Sequence, residues 1–154
     1  GAGKTTYARQ LAKDLGGLRL SIDEWNATLF FMDRDPSSDY DWFYERVQRC
    51  GQQMRETAAQ VLANGMPVIF DCGFTNRHER GIFYDWALPL NLPVKLHYID
   101  VETETRWNRV KQRNSEKGDT LAIEVTCDMF DFIQNLWEEP SVDEMQTYNG
   151  THVN

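Results

Sequence analysis

Cysteine, histidine and proline are scarce in this chain: three, three and five among 154 residues. Cys50, Cys72 and Cys127 are odd in number and far apart, which argues against a disulfide framework and against a thiolate metal site. They read as reduced thiols with packing roles. His97 has no second His or Cys at ligand spacing, so a structural histidine is the expectation. Positive charge is also short, with 16 Lys and Arg against 24 Asp and Glu and a net charge of −8. That balance disfavours extended nucleic acid as the main partner and leaves open only a local basic cleft for a short nucleic-acid end. No apolar run is long enough for a bilayer, and there is no signal-peptide pattern and no internal repeat. These absences predict a soluble, cytoplasmic protein. With 41% hydrophobic residues, the chain suits one domain over residues 1–154 with a buried core.

Against those shortages stands one dense stretch, Gly1-Ala2-Gly3-Lys4-Thr5-Thr6. Gly3-Lys4-Thr5 matches the closing half of the phosphate-binding pattern G-x-x-x-x-G-K-[ST], whose first glycine would fall upstream of Gly1. Glycines let successive backbone N–H groups turn inward onto phosphate oxygens. Gly1 to Thr6 then form the nucleotide cradle, Lys4 reaches the β- and γ-phosphates, and the Thr5 hydroxyl holds Mg²⁺. A helix opening at Thr5 aims its positive end at the same anion. The competing reading is a capped surface turn. Such a loop follows a buried strand, for which no room exists before Gly1, so the expectation is a chain that begins inside its domain.

Downstream, helices and short apolar runs alternate. Ala8, Leu11, Ala12 and Leu15 make one helical face closed by Gly16-Gly17. Leu18 to Ile22 reads as a strand ending in Asp23-Glu24, and Asp23 is open to two readings, a helix N-cap or a functional acid. After a polar, acidic loop over residues 33–41, Phe43, Val47, Cys50, Met54, Ala58 and Val61 define a long amphipathic helix. Pro67 to Asp71 is an apolar run ending in an acid, the kind of strand that delivers an Asp towards Mg²⁺. Arg77 follows in the first turn of a helix, where a cation opposes the dipole. It fits an anionic partner, or equally a surface pair with Glu79 or Asp71. Val94 to Asp100 reads as a strand. Arg106, Arg109 and Arg113 share one face of the next helix, either to grip a polyphosphate or as a solvated basic face. Residues 114–120 read as a mobile lid, within a lid segment around 105–125. Thr126 to Trp137 reads as a last helix with Met129, Ile133, Leu136 and Trp137 inward, and the tail carries no predicted element.

Taken in this order, Gly3-Lys4-Thr5-Thr6, Ser21-Ile22-Asp23-Glu24-Trp25, Asp71-Cys72-Gly73-Phe74 through Arg77 and Arg80, Arg109 to Asn114, and residues 138–144 resemble the AAA-type family of small bacterial P-loop kinases. Zeta toxins and polynucleotide 5′-hydroxyl kinases are its relatives. The alternation and the resemblance together imply an α/β fold, a three-layer P-loop domain with a parallel sheet whose first strand is missing from the chain. The resemblance further implies that Lys4 and the loop amides hold ATP, that Thr5 and Asp71 hold Mg²⁺, and that Asp23 accepts the proton of the attacking hydroxyl. Arg109 and Arg113 match arginines that close over the transferring phosphoryl group. Polynucleotide kinases carry an Arg shortly after the strand-two Asp, whereas Trp25-Asn26-Ala27-Thr28 supplies none. The expected activity is transfer of the γ-phosphoryl group of Mg-ATP to a hydroxyl of a small acceptor, and the alternative is an NTPase or switch without an acceptor.

Overall fold

The computed structural model describes residues 1–35, 37–116 and 124–153. They form two compact units: a first, Lys4–Gly73, and a second made of Gly1–Gly3 with Phe74–Asn154.

In the first unit, helix α1 (Lys4–Leu15) ends where Gly17 N–H donates to Ala12 O at 2.8 Å. Strand β1 (Leu18–Ser21) runs directly into α2 (Ile22–Phe30), because Ser21 takes an extended conformation and its hydroxyl accepts from Glu24 N–H, as an N-cap does. A 3₁₀ turn (Phe31–Asp33) and the long α3 (Tyr40–Ala63) lead to β2 (Val68–Asp71). β1 and β2 pair in parallel, with Leu18 opposite Val68 and Ser21 opposite Asp71. Parallel neighbours need a crossover, and α2 with α3 supply it. The predicted stripe on α3 packs as expected at its centre, where Cys50, Met54 and Ala58 are buried together with Leu20 and Ile22. Asn26 is buried as well, and it satisfies its amide by donating to Ile22 O at 3.0 Å.

In the second unit, α4 (Arg77–Ala87) starts at Asn76, whose side chain accepts from Glu79 N–H. The predicted strand over 94–100 contracts to β3 (His97–Ile99). Helices α5 (Thr103–Glu116) and α6 (Cys127–Leu136) follow. The tail, expected to carry no element, holds α7 (Val142–Thr147) and β4 (Thr151–Val153). β4 lies parallel to β3, with His97 opposite Thr151 and Ile99 opposite Val153. Backbone hydrogen bonds from Leu96 N–H to Tyr148 O and from Asp100 N–H to Val153 O flank this short ladder.

The inward face expected for α6 is corrected. Met129, Ile133 and Leu136 are 42%, 47% and 36% exposed. The helix is rotated so that Phe130 meets Trp107 of α5 (ring centroids 5.1 Å apart) and Gln134 meets Arg106 at 2.7 Å. Specific aromatic and polar contacts along 130 and 134 outweigh the apolar periodicity. All four strands pair in parallel, as the α/β expectation requires, in two two-stranded sheets among the described residues. No helix among the described residues is long and apolar enough to cross a membrane.

Candidate functional site

The glycines of the loop are required for two different reasons. Gly3 has φ +86°, a left-handed conformation with open space where a side chain would stand. Gly1 is pressed so closely on the backbone carbonyl of Arg106 that an added Cβ would lie 2.1 Å from its oxygen. Lys4 is then the first residue of α1, and the first N–H groups of a helix have no partner within it.

In the first unit the in-register pairing sets Ser21 and Asp71 side by side at the carboxyl ends of β1 and β2. The N-cap reading of Asp23 is corrected: Ser21 caps α2, and Asp23 lies exposed within its first turn. Asp71 is 7% exposed. Cys72 follows it, and its surroundings show what gathers here. Its thiol is pushed up by burial first, then by the negative charges of Asp71 and Asp23, against a backbone hydrogen bond from Ile22 and the charge of Lys4. The charges of Lys4, Asp23 and Asp71, which are far apart in sequence, are therefore all felt at one sulfur. A thiol held so firmly protonated is no nucleophile, and Cys72 acts as a packing group, as its sequence reading expects.

Four charged side chains form a chain beside this cluster. Arg19 of β1 donates to Asp71 Oδ2 at 2.6 Å and to Glu24 Oε1 at 2.5 Å, and Arg9 reaches the same Glu24 oxygen at 3.0 Å. The hydrogen bond from Arg19 holds Glu24 below the usual carboxylate range, against partial burial. Burial opposes the charge on Arg19, but its bonds to Glu24 and Asp71 outweigh that and raise its pKa. Sequence reasoning missed Arg19. The available signal was a cation in the middle of the apolar strand Leu18-Arg19-Leu20, where an unpaired charge is unaffordable.

In the second unit the arginine face of α5 divides. Arg106 is a helix–helix tie, donating to Thr103 Oγ1 at 2.9 Å and to Gln134 Oε1 at 2.7 Å. Arg109 is exposed, and Arg113 is half-buried with Nε lacking a hydrogen-bond partner among the described residues. Of the expected lid, residues 117–123 lie outside the described residues. The chain on either side is joined where Asn114 donates to Val125 O at 2.7 Å. Arg77 is exposed, and its backbone N–H donates to Glu138 Oε2 at 2.9 Å. Its supposed partner Glu79 instead accepts from Thr75 N–H at 2.6 Å. Arg80, buried on α4 one turn after Arg77, forks onto Glu144 at 2.9 and 3.0 Å and donates to Glu138 O.

Among the described residues no group of three His, Cys, Asp or Glu side chains forms a metal cage. Arg19 takes only Oδ2 of Asp71, and a carboxylate oxygen is a ligand of the kind Mg²⁺ takes, with phosphate and water completing its shell. The orphaned Nε of Arg113 suits an anion.

A family model described as an AAA domain matches residues 1–134. Neither the search of curated proteins nor that of solved structures returned a match.

Proposed function

The chain belongs to the AAA domain family, a class of nucleotide-binding P-loop NTPases and kinases, and on that premise we propose that it is an ATP-dependent kinase of a small hydroxyl-bearing acceptor. What supports the reading is that Ser21 and Asp71 end paired parallel strands side by side, with Asp23 in the helix that starts at Ser21, and that the charges of Lys4, Asp23 and Asp71 are all felt at Cys72. Lysine and a metal-facing acid serve an NTPase and a kinase alike; this reading gives the exposed carboxylate of Asp23 the further role of receiving the proton of an acceptor hydroxyl.

In this reading Gly1, Ala2, Gly3, Lys4, Thr5 and Thr6 bind the ATP phosphates, and Thr5 and Asp71 hold Mg²⁺. The metal supplies charge neutralisation on the β- and γ-phosphates. Asp23 accepts the proton as the acceptor oxygen bonds to the γ-phosphorus and the bond from that phosphorus to the β–γ bridging oxygen breaks, releasing ADP. It stands in the first turn of α2, where the helix start favours a negative charge. Lys4, Arg109 and Arg113 offset charge on the transferring group, and Arg77 adds a positive charge for the nucleotide.

The test is transfer from γ-labelled ATP to a panel of nucleosides, 5′-hydroxyl oligonucleotides, aminoglycosides and other alcohols, with water as control. Asp23→Ala should lower transfer by roughly 10²–10⁴-fold while nucleotide affinity is kept. Label recovered only as free phosphate, at the same rate in wild type and Asp23→Ala, would establish an NTPase instead.

A further inference from the structure

Beyond the proposed ligand set, we propose that Arg19 is the resident counter-cation of the metal position: it neutralises Asp71 when Mg²⁺ is away and shares that carboxylate when Mg²⁺ is bound. The inference rests on the reading of Asp71 as a metal ligand.

The side chains of Arg19 and Asp71 are 13% and 4% exposed. A carboxylate that deep is costly to hold charged without a cation beside it. A metal ligand therefore has a difficulty before its metal arrives, and Arg19 resolves it. The manner of the contact matters. Arg19 spends one prong, Nη1, on Asp71 Oδ2 and sends Nη2 to Glu24 Oε1. It thus does not form the fork that would occupy both oxygens of Asp71, and Oδ1 is left unclaimed by Arg19. The contrast within the same molecule is Arg80, whose Nε and Nη2 take both oxygens of Glu144. Arg19 is held in its one-pronged pose by Glu24, which Arg9 in turn orients. Its position two residues before Ser21, with Leu18 and Leu20 on either side, fixes its stem in β1. Arg19 is accordingly a positioning residue, and the metal shares an already oriented carboxylate.

The experiment is thermal unfolding of wild type, Arg19→Gln and Asp71→Asn, each in chelator, in millimolar MgCl₂, and in MgCl₂ with a non-hydrolysable ATP analogue, at constant ionic strength. In chelator Arg19→Gln should melt lower than wild type by on the order of 10 °C. Mg²⁺ should raise its melting temperature more than that of wild type, because the uncompensated carboxylate gains most from a cation. A merely structural arginine would give a loss that Mg²⁺ leaves unchanged. Equal Mg²⁺-induced shifts in wild type and Arg19→Gln, with the nucleotide-plus-metal shift abolished in Asp71→Asn, would overturn this inference and leave the metal reading standing. No loss of that shift in Asp71→Asn would overturn both. Should Arg19→Gln fail to fold in chelator, recovery of a cooperative melt in MgCl₂ supports the inference. If it stays unfolded there, Arg19→Lys takes its place. Lysine keeps the charge without the fork, and a Mg²⁺ shift larger than wild type in that variant overturns the counter-charge role.

Discussion

The same four-residue pattern occurs once in each unit: Ser21-Ile22-Asp23-Glu24 in the first and Ser141-Val142-Asp143-Glu144 in the second. Both open a helix, both use the serine hydroxyl as N-cap to the glutamate N–H, and both place an aspartate in the first turn. Each glutamate meets an arginine, Arg19 or Arg80. They diverge in what the glutamate does next. Glu144 is 5% exposed, returns to Ser141 N–H to complete a capping box, and receives the full fork of Arg80. Glu24 is 45% exposed at its side chain and shares one oxygen between Arg19 and Arg9. One copy is saturated and dry; the other is open and under-coordinated. A saturated ion pair fixes structure, whereas an open one leaves oxygens and charge for a ligand.

The largest effect should come from breaking the saturated copy. Arg80→Met keeps the stem's volume and removes the charge, leaving Glu144 buried and unpaired at the end of a six-residue helix. A loss of about 3–5 kcal/mol is expected by urea unfolding. Glu24→Gln, which breaks the open copy, should cost no more than about 1 kcal/mol, since exposed pairs are screened. Similar losses in the two variants would abolish the distinction.

The contrast also marks what the sequence made legible. Alternating helices and apolar runs announced parallel strands, and both sheets are parallel. Lys4, Asp23 and Asp71 stood out in the sequence because each closes a recognisable local pattern. Arg19 and Arg80 were not recognised as buried pair members, because nothing local says which carboxylate a buried cation will meet 52 or 64 residues away. The tail was read as featureless although Ser141-x-x-Glu144 is a helix-start signature. A six-residue helix cannot stand by local propensity alone; Arg80 and the stacking of Tyr84 on Tyr148, with ring centroids 3.6 Å apart, hold it. The orientation of α6 was misread because apolar period alone cannot anticipate the contacts that Arg106 and Trp107 offer.

Acid sharpens the same comparison with a smaller effect. Hydrogen bonds from Arg80 hold Glu144 below its ordinary range, against burial. A carboxylate depressed in the folded state contributes stability that is present above its unfolded pKa, about 4.3. That contribution is lost as pH falls through the folded value. Wild type should therefore lose stability progressively below about pH 4.5. Glu144→Gln should flatten that part of the profile, while Glu24→Gln, also depressed but open to solvent, should flatten it less. Chemical denaturation at a series of pH values between about 3 and 6 measures both slopes. Equal flattening would mean that exposure does not govern the two pairs.

The smallest effect separates chemistry from capping. Asp23 and Asp143 occupy the same place in the same pattern, each exposed in the first turn of its helix. Each should therefore contribute a similar helix-start stabilisation, about 0.3–1 kcal/mol. The charge of Asp23 is felt at Cys72 together with those of Asp71 and Lys4, and Asp23 is the one assigned to the acceptor. Asp143→Ala should thus cost the same small amount of stability as Asp23→Ala and leave phosphoryl transfer at the wild-type rate. The pair of variants removes helix electrostatics from the comparison, so a loss of transfer in Asp23→Ala beyond that in Asp143→Ala is the outcome the proposed base role predicts. If Asp143→Ala lost transfer to the same extent, the carboxylate's contribution would be to helix stability, and the base assignment of Asp23 would fall.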